Sequence, residues 1–326
     1  MPTVVVTGGA GYIGSQLVGL LLQKSYDVLV LDQLLYGAQA LLGFWYHPKF
    51  HFCKTDIADE AQVARALEGV SADAFVHFAA IVGDPACAKD PNLAERVNWQ
   101  GACAVLAEAR RHQIRRFIFA STCSNYGKMA DPSQFVDEES PLSPVSHYAK
   151  LKVQFEKHLL GQKLDPNLCP TVLRFATAYG LSGRMRFDLT VNEFIKELAL
   201  GRTLEVFGGE FWRPYCHVVD LARAVLLVLT TDQHHVAGEV FNVGDTGENY
   251  QKRMIVEEVK KILPQAEVRY VKKAEDPRDY RVSFEKIKSR LGFTITRRVP
   301  DGIREVKQAL EQEVFHQPDS QRYKNS

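Results

Sequence analysis

The sequence carries almost no net charge: 40 Lys and Arg stand against 39 Asp and Glu, leaving +1 over 326 residues. A near-neutral chain removes the electrostatic case for nucleic acid or an anionic membrane surface as partner. The basic pairs Arg110-Arg111, Arg115-Arg116 and Lys272-Lys273 read as solvated faces. Paired cysteines are also missing. The six present (Cys53, Cys87, Cys103, Cys123, Cys169, Cys216) form no Cys-x-x-Cys, which argues against a zinc site or a disulfide framework and suits a reducing compartment. His234-His235 has no third ligand in its polar loop, so no metal is assigned. No apolar run reaches the ~18 residues of a membrane span. No basic-then-apolar leader precedes the first strand, so a cytoplasmic location is expected. Repeats and low-complexity segments do not stand out.

What the chain does have is alternation. Short apolar runs, "TVVVTG" (3–8), "DVLVLD" (27–32), "FHFCKTD" (50–56), "AFVHFAA" (74–80), "RFIFAS" (116–121) and "PTVLRFA" (170–176), have the look of buried strands. Segments of helical spacing lie between them, among them 14–25, 61–70, 92–112 and 146–162. Strands alternating with helices predict an α/β fold, a doubly wound, Rossmann-like parallel sheet. The rhythm changes after residue 176. The expected division is a dinucleotide-binding domain over 1–176 with 212–245 returning to it. Residues 177–211 and 246–315 form a smaller C-terminal substrate-binding portion, and 316–326 a frayed polar tail. His77, within a strand, reads as a packed residue rather than a ligand.

The opening "TGGAGYIGS" (7–15) follows a strand and starts a helix. Such a turn points backbone N–H groups and a helix N-terminus at one spot, which suits phosphate. Gly8, Gly11 and Gly14 lack a Cβ, so the backbone can approach a pyrophosphate closely. About twenty residues on, "VLVLD" ends in Asp32, placed to accept bonds from the adenosine ribose. A carboxylate there repels a 2′-phosphate, which favours NAD over NADP.

These stretches, with "TDIAD" (55–59), "VHFAAIVGDP" (76–85), "VNWQGA" (97–102), "FASTCSNYG" (119–127), "YAKLK" (148–152), "LRFATAYG" (173–180), "RPYCHVVDLARA" (213–224) and "FNVGD" (241–245), carry a resemblance. The chain resembles the extended short-chain dehydrogenase/reductase family in its nucleotide-sugar epimerase and dehydratase branch, from residue 3 to about 310. The resemblance implies that Tyr12 and Ile13 join the glycines at the cofactor and that Asp56 and Ile57 flank the adenine. It also implies that Ala79 and Ala80 line the cofactor channel, Asn98 braces sheet and cofactor, and Phe175 lies near the nicotinamide.

Tyr148 and Lys152 are four apart in a helical segment and share a face. A free phenol titrates near ~10 and is a poor base at neutral pH; a neighbouring ammonium and a cationic nicotinamide ring are expected to lower that value. Lys152 can also hold the nicotinamide ribose. Thr122 sits where the family has Ser or Thr and can bond the reacting sugar oxygen. The implied step is removal of a hydroxyl proton by Tyr148 while hydride moves to NAD. The 4,6-dehydratases of this family follow that Thr with Asp-Glu. Here Cys123 and Ser124 stand instead, and a thiol and a hydroxyl replace an acid–base pair poorly. Both are kept as candidate catalytic residues, although Cys123 lies one place off the family's cysteine base.

The leading reading is an NAD-dependent nucleotide-sugar epimerase. Its rivals are a nucleotide-sugar 4-ketoreductase using NADH or NADPH, and a noncatalytic NAD-binding regulator on the same fold. On the substrate side the resemblance points to Arg213 as a diphosphate contact. Arg278 is a looser second clamp. Thr177 replaces the Asn that many hexose 4-epimerases carry, Asn192 could line the site, and the basic loop "SGRMRF" (182–187) could reach phosphates. A homodimer paired through the helices of 92–112 and 146–162 is the family expectation.

Overall fold

The computed structural model describes residues 2–129, 131, 133–161, 165–271 and 278–325; Gln162 and the pair Lys272-Lys273 lie outside them. The strands are β1 (Thr3–Thr7), β2 (Asp27–Asp32), β3 (Phe50–Lys54), β4 (Ala74–His77), β5 (Arg116–Thr122), β6 (Cys169–Phe175), β7 (Thr177–Tyr179), β8 (Leu204–Phe207), β9 (Trp212–His217), β10 (Glu239–Val243), β11 (Asn249–Gln251) and β12 (Val268–Val271). Seven of them form one sheet in the order β3-β2-β1-β4-β5-β6-β10, and every pair in it is parallel. The order reverses between β1 and β4, the switch point where doubly wound sheets bind ligands.

The helices are α1 (Gly14–Gln23), α2 (Glu60–Leu67), α3 (Asp84–Lys89), α4 (Pro91–Glu95), α5 (Ala102–Arg111), α6 (His147–Gly161), α7 (Thr190–Ala199), α8 (Val218–Thr230), α9 (Lys252–Ile262), α10 (Glu285–Leu291) and α11 (Val299–Glu311). Alternation along β1 divides the core between the two faces of the sheet. Val4 and Val6 pack in one cluster with Leu17 and Leu21 of α1 and Leu221 and Val225 of α8. Val5 turns the other way, into a cluster with Phe75, Phe117, Val105 of α5 and Phe155 of α6. A third core under α7, α9 and α11 gathers Tyr179, Phe187, Ile195, Val256 and Ile303.

Four features depart from the sequence expectations. The helix expected over 92–112 is broken into α4, a wide π-type turn at Arg96–Gly101, and α5. Gly101 passes so close to Ile57 that a Cβ would lie 3.0 Å from its carbonyl oxygen. Trp212–His217 does not return to the main sheet. As β9 it lies between β7 and β11 in a three-stranded sheet, and β8 pairs with β12 in another. Arg116, expected as a solvated face, donates instead to the carbonyls of Val228 and Thr231 at 2.8 and 2.6 Å. The tail is not frayed: Phe315 and Tyr323 pack edge-to-face on Phe187 with centroids 5.1 and 5.5 Å away. The Phe187 amide donates to the Tyr323 carbonyl at 2.9 Å.

His77 is packed, as expected: it is 1% exposed, 2.8 Å from Thr7 Oγ1 through Nδ1, and ringed by Phe117, Phe119 and Phe155. Burial, with the Lys152 charge adding to it, brings its pKa down to about 3. Between the ordinary histidine value and that figure the unfolded chain binds the extra proton, so this site removes stability as pH falls. The slope is about 1.4 kcal/mol per pH unit. Urea unfolding at pH 7 and pH 5 should show a smaller acid loss in His77→Phe than in the parent; equal losses would refute the assignment.

Candidate active site

The C-terminal ends of β1, β2, β4, β5 and β6 open onto one long cleft, whose other wall includes Thr177, Leu189, Arg278 and Tyr280. β1 runs through the glycine turn into α1. Gly8 has φ +73°, and a Cβ on it would lie 2.7 Å from the Ala79 amide nitrogen. At Gly14 a Cβ would sit 2.1 Å from the Gly8 carbonyl oxygen. The turn is a cradle that side chains would fill, and it aims the first amides of α1 at the cleft. Gly11 and Ile13 border the same space. Tyr12 turns its hydroxyl elsewhere: it donates to Gly180 O at 2.5 Å and accepts from Asn192 at 3.1 Å, which leaves its backbone for the cleft.

Asp32, at the end of β2, borders the cleft. Its carboxylate accepts from the Ala10 amide at 3.0 Å and the Leu34 amide at 2.8 Å, tying β2 to the glycine turn. Burial raises its pKa, and those two amides oppose the rise. Ala79, Ala80, Ile57 and Phe175 line the cleft farther along. Asp56 does not; its Oδ1 caps the Ala58 amide at 3.0 Å. Asn98 is buried behind the wall, bonding Ile81 N at 2.7 Å and Ile81 O at 2.9 Å, and so braces the loop after β4.

Thr122, Ser124, Tyr148 and Lys152 meet over the ends of β5 and β6. The Tyr148 hydroxyl has no hydrogen-bond partner among the described residues, whereas Thr122 Oγ1 accepts from the Ser124 amide at 3.1 Å and keeps its own proton to donate. Lys152 Nζ donates to Ala120 O at 2.8 Å and lies 5.8 Å from the Tyr148 ring centroid. The phenol is not acidified as expected, because burial outweighs the neighbouring charge. Burial pushes Tyr148 above the ordinary phenol range and brings Lys152 down to about 8. One turn beyond Lys152 on α6, Glu156 pairs with Arg174 of β6 at 2.8 Å and also takes the Ser121 hydroxyl and the Asn125 amide. This buried network fixes α6, and with it Tyr148 and Lys152, against β5 and β6. Sequence reading missed it; the signal was a Glu four residues after Lys152 on the same face.

A glycine cradle no side chain could share, a carboxylate at the ribose position and a Tyr–Lys helix on one cleft fit a nicotinamide dinucleotide. The model of the NAD-dependent epimerase/dehydratase family matches residues 4–244. The chain belongs to that family. As a member it is an NAD-dependent enzyme, and its relatives include UDP-glucose 4-epimerases. A UDP-glucose 4-epimerase of Lactobacillus helveticus is 30% identical over 79% of this chain and 81% of its own. A solved UDP-glucose 4-epimerase of Thermotoga maritima with UDP-glucose has a TM-score of 0.86 at 27% identity, covering 96% of this chain and 99% of that one. A UDP-glucuronic acid 4-epimerase of Bacillus cereus with UDP-glucuronic acid and NAD gives 0.84 at 25%, covering 95% and 99%.

Within this epimerase/dehydratase family member, three expected residues face elsewhere. Cys123 is 1% exposed, donates to Arg174 O at 3.2 Å and has its thiol pKa pushed well up by burial, so it is a packed thiol and not a base. The chain leaves β5 through a tight helical turn at Cys123–Tyr126, which rotates Cys123 inward while Ser124 meets Tyr280 across the cleft, hydroxyl to hydroxyl at 3.3 Å. Asn192 is fully buried and holds Gly180 N, Tyr12 and Arg186 O, so it supports the wall rather than lining it. Arg213 does not border the cleft; it stacks on Tyr280, which does, at 5.0 Å and donates to Trp212 O. Arg278 and Thr177 do border it, and Arg278 pairs with Asp84 at 2.7 Å. Arg184, Tyr36, Tyr280 and Asn325 border it too. Of these only Arg184 had a sequence signal, the basic loop. Among the described residues no helix is long and apolar enough to cross a membrane.

Proposed function

We propose that this enzyme interconverts nucleotide sugars epimeric at C4, with UDP-hexoses as the substrate class. The observation that carries the reading is the convergence of Tyr148, Thr122 and Lys152 on the glycine cradle, with a buried Cys123 and a Ser124 where a dehydratase needs its carboxyl pair. When bound, NAD supplies a hydride acceptor that returns the hydride within the turnover. Tyr148 takes the proton of the sugar hydroxyl, Thr122 donates a hydrogen bond to the same oxygen, and Lys152 holds the cofactor ribose. Burial holds the phenol neutral without the cofactor; a bound cofactor's positive ring would act with the Lys152 ammonium to lower it.

Residues 1–176, with the chain from 218 to 245, would hold the dinucleotide, and the remainder up to 315 the sugar nucleotide. Arg278, Thr177 and Ser124 are read as its contacts. By the family resemblance the working unit is a cytoplasmic homodimer joined through α5 and α6, which light scattering tests.

The decisive assay incubates the protein with NAD and UDP-glucose or UDP-galactose in heavy water. Each sugar should convert into the other with no deuterium on carbon. Deuterium uptake would move the chemistry to an enolised carbon, and NADH oxidation only with a 4-keto sugar would make the enzyme a reductase.

A further inference from the structure

The loop after β7 carries Arg184, and several bonds tie that loop to the glycine turn. Tyr12 donates to Gly180 O at 2.5 Å, Ser182 donates to Tyr12 O at 2.7 Å, and Ser15 and Ser182 hydroxyls meet at 3.1 Å. Glu305 fastens the loop from the other side through the Leu181 amide at 2.7 Å. Arg184 itself is 6% exposed and lies over the Tyr36 ring, its guanidinium carbon 4.0 Å from the centroid. It makes one hydrogen bond, Nη2 to Lys324 O at 2.9 Å, and its Nε and Nη1 are buried with no partner among the described residues. No carboxylate among them pairs with it: the nearby Asp188 is occupied by the fork of Arg186, at 3.0 and 2.6 Å. Burial and the neighbouring Arg186 charge pull Arg184 down to about 10. A buried guanidinium with spare donors and no counter-charge is costly unless an anion completes it.

The C-terminal segment supplies a second orphan at the same place. Asn325 donates through Nδ2 to Val82 O at 3.2 Å, and its backbone amide donates to Asp188 at 3.2 Å. Its Oδ1 is buried with no partner among the described residues, and Asn325 borders the cleft. Spare cationic donors beside a spare acceptor match a phosphate next to a sugar hydroxyl.

We propose that Arg184, held in place by the docked C-terminal segment, is the cation that neutralises the diphosphate of the dinucleotide, and that Asn325 accepts a bond from an adjoining ribose. The glycine turn offers amides but no charge; Arg184 provides it from across the cleft, so the segment carrying Asn325 is part of the cofactor site. This rests on the cofactor assignment above. It selects the dinucleotide over the sugar nucleotide, because the loop is bonded to the turn that starts α1.

The test is calorimetric titration of cofactor-stripped, full-length protein with NAD, and of NAD-loaded protein with UDP, for the parent, Arg184→Gln, Arg184→Lys and Asn325→Ala. Arg184→Gln should weaken NAD about 10- to 100-fold, change UDP affinity by less than ~3-fold, and leave the cofactor-free melting temperature at or above the parent's. Arg184→Lys should recover part of the loss, and it serves as the readout if the Gln variant does not fold. Asn325→Ala should weaken NAD several-fold. Unchanged NAD affinity in the Arg184 variants overturns the proposal, as does a loss that falls on UDP instead. A parent protein that binds no NAD would sink the cofactor assignment itself.

Discussion

Tyr148→Phe is expected to lower kcat by about 10²- to 10⁴-fold, the range for loss of a positioned acid–base group. NAD affinity should stay within ~3-fold of the parent. The change deletes one oxygen, and that oxygen bonds no described residue, so no buried partner is orphaned by its removal. The ring keeps its place against the core beneath α6. The effect should fall on kcat more than on KM, because the hydroxyl acts on a proton that moves in the transition state. Single-turnover formation of NADH-like absorbance with UDP-glucose is the complementary readout and should slow in step. A variant that keeps more than a tenth of the parent's kcat would remove Tyr148 from the chemistry.

Gly14→Ala is expected to have the next largest effect, though it removes nothing. The added Cβ would lie 2.1 Å from Gly8 O and 2.9 Å from the Gly9 Cα, both backbone atoms. Relief requires either α1 to lift from the sheet or the turn to open. α1 cannot lift freely, since Leu17, Val18 and Leu21 are fully buried under it. The turn must therefore deform, and its amides leave the positions that suit a phosphate. NAD affinity should fall more than about 100-fold, and stability by about 1–3 kcal/mol as for other overpacked sites. Gly43→Ala is the control: its Cβ would meet nothing within 4 Å, and the expected stability change is within ~1 kcal/mol. Calorimetry with NAD and urea unfolding check both; equal behaviour of the two variants would refute the steric account.

The features legible in the sequence were those with a strong local cause. "TVVVT" and "DVLVLD" are continuous β-branched and leucine runs, and both strands fall within a residue of expectation. The glycine turn announces itself because only glycines fit where Cβ atoms would strike backbone. Tyr148 and Lys152 came from helical spacing placed after that turn. What stayed hidden depends on direction or on distant partners. Cys123 and Ser124 are neighbours with opposite fates, decided by a single helical turn after β5. Asn192 looked like a polar lining residue, but its partners lie twelve and 180 positions away. β7, β8, β11 and β12 have three or four residues each, too few for a period to show. The tail reads as polar and loose because its anchor, the Phe187–Phe315–Tyr323 triangle, joins residues far apart in sequence.

The placement of β10 bears on how the chain assembles. All seven residues of β6 are buried, and its outer neighbour arrives only at Glu239–Val243, 64 residues after Phe175. Until that stretch has left the ribosome, β6 is an open, apolar, parallel edge, the kind that invites pairing with another chain. The first half of the chain, which carries the glycine turn, is therefore not a module that can be cut out and moved. Its last strand is on loan from beyond β7, β8 and β9, so the two halves must mature together.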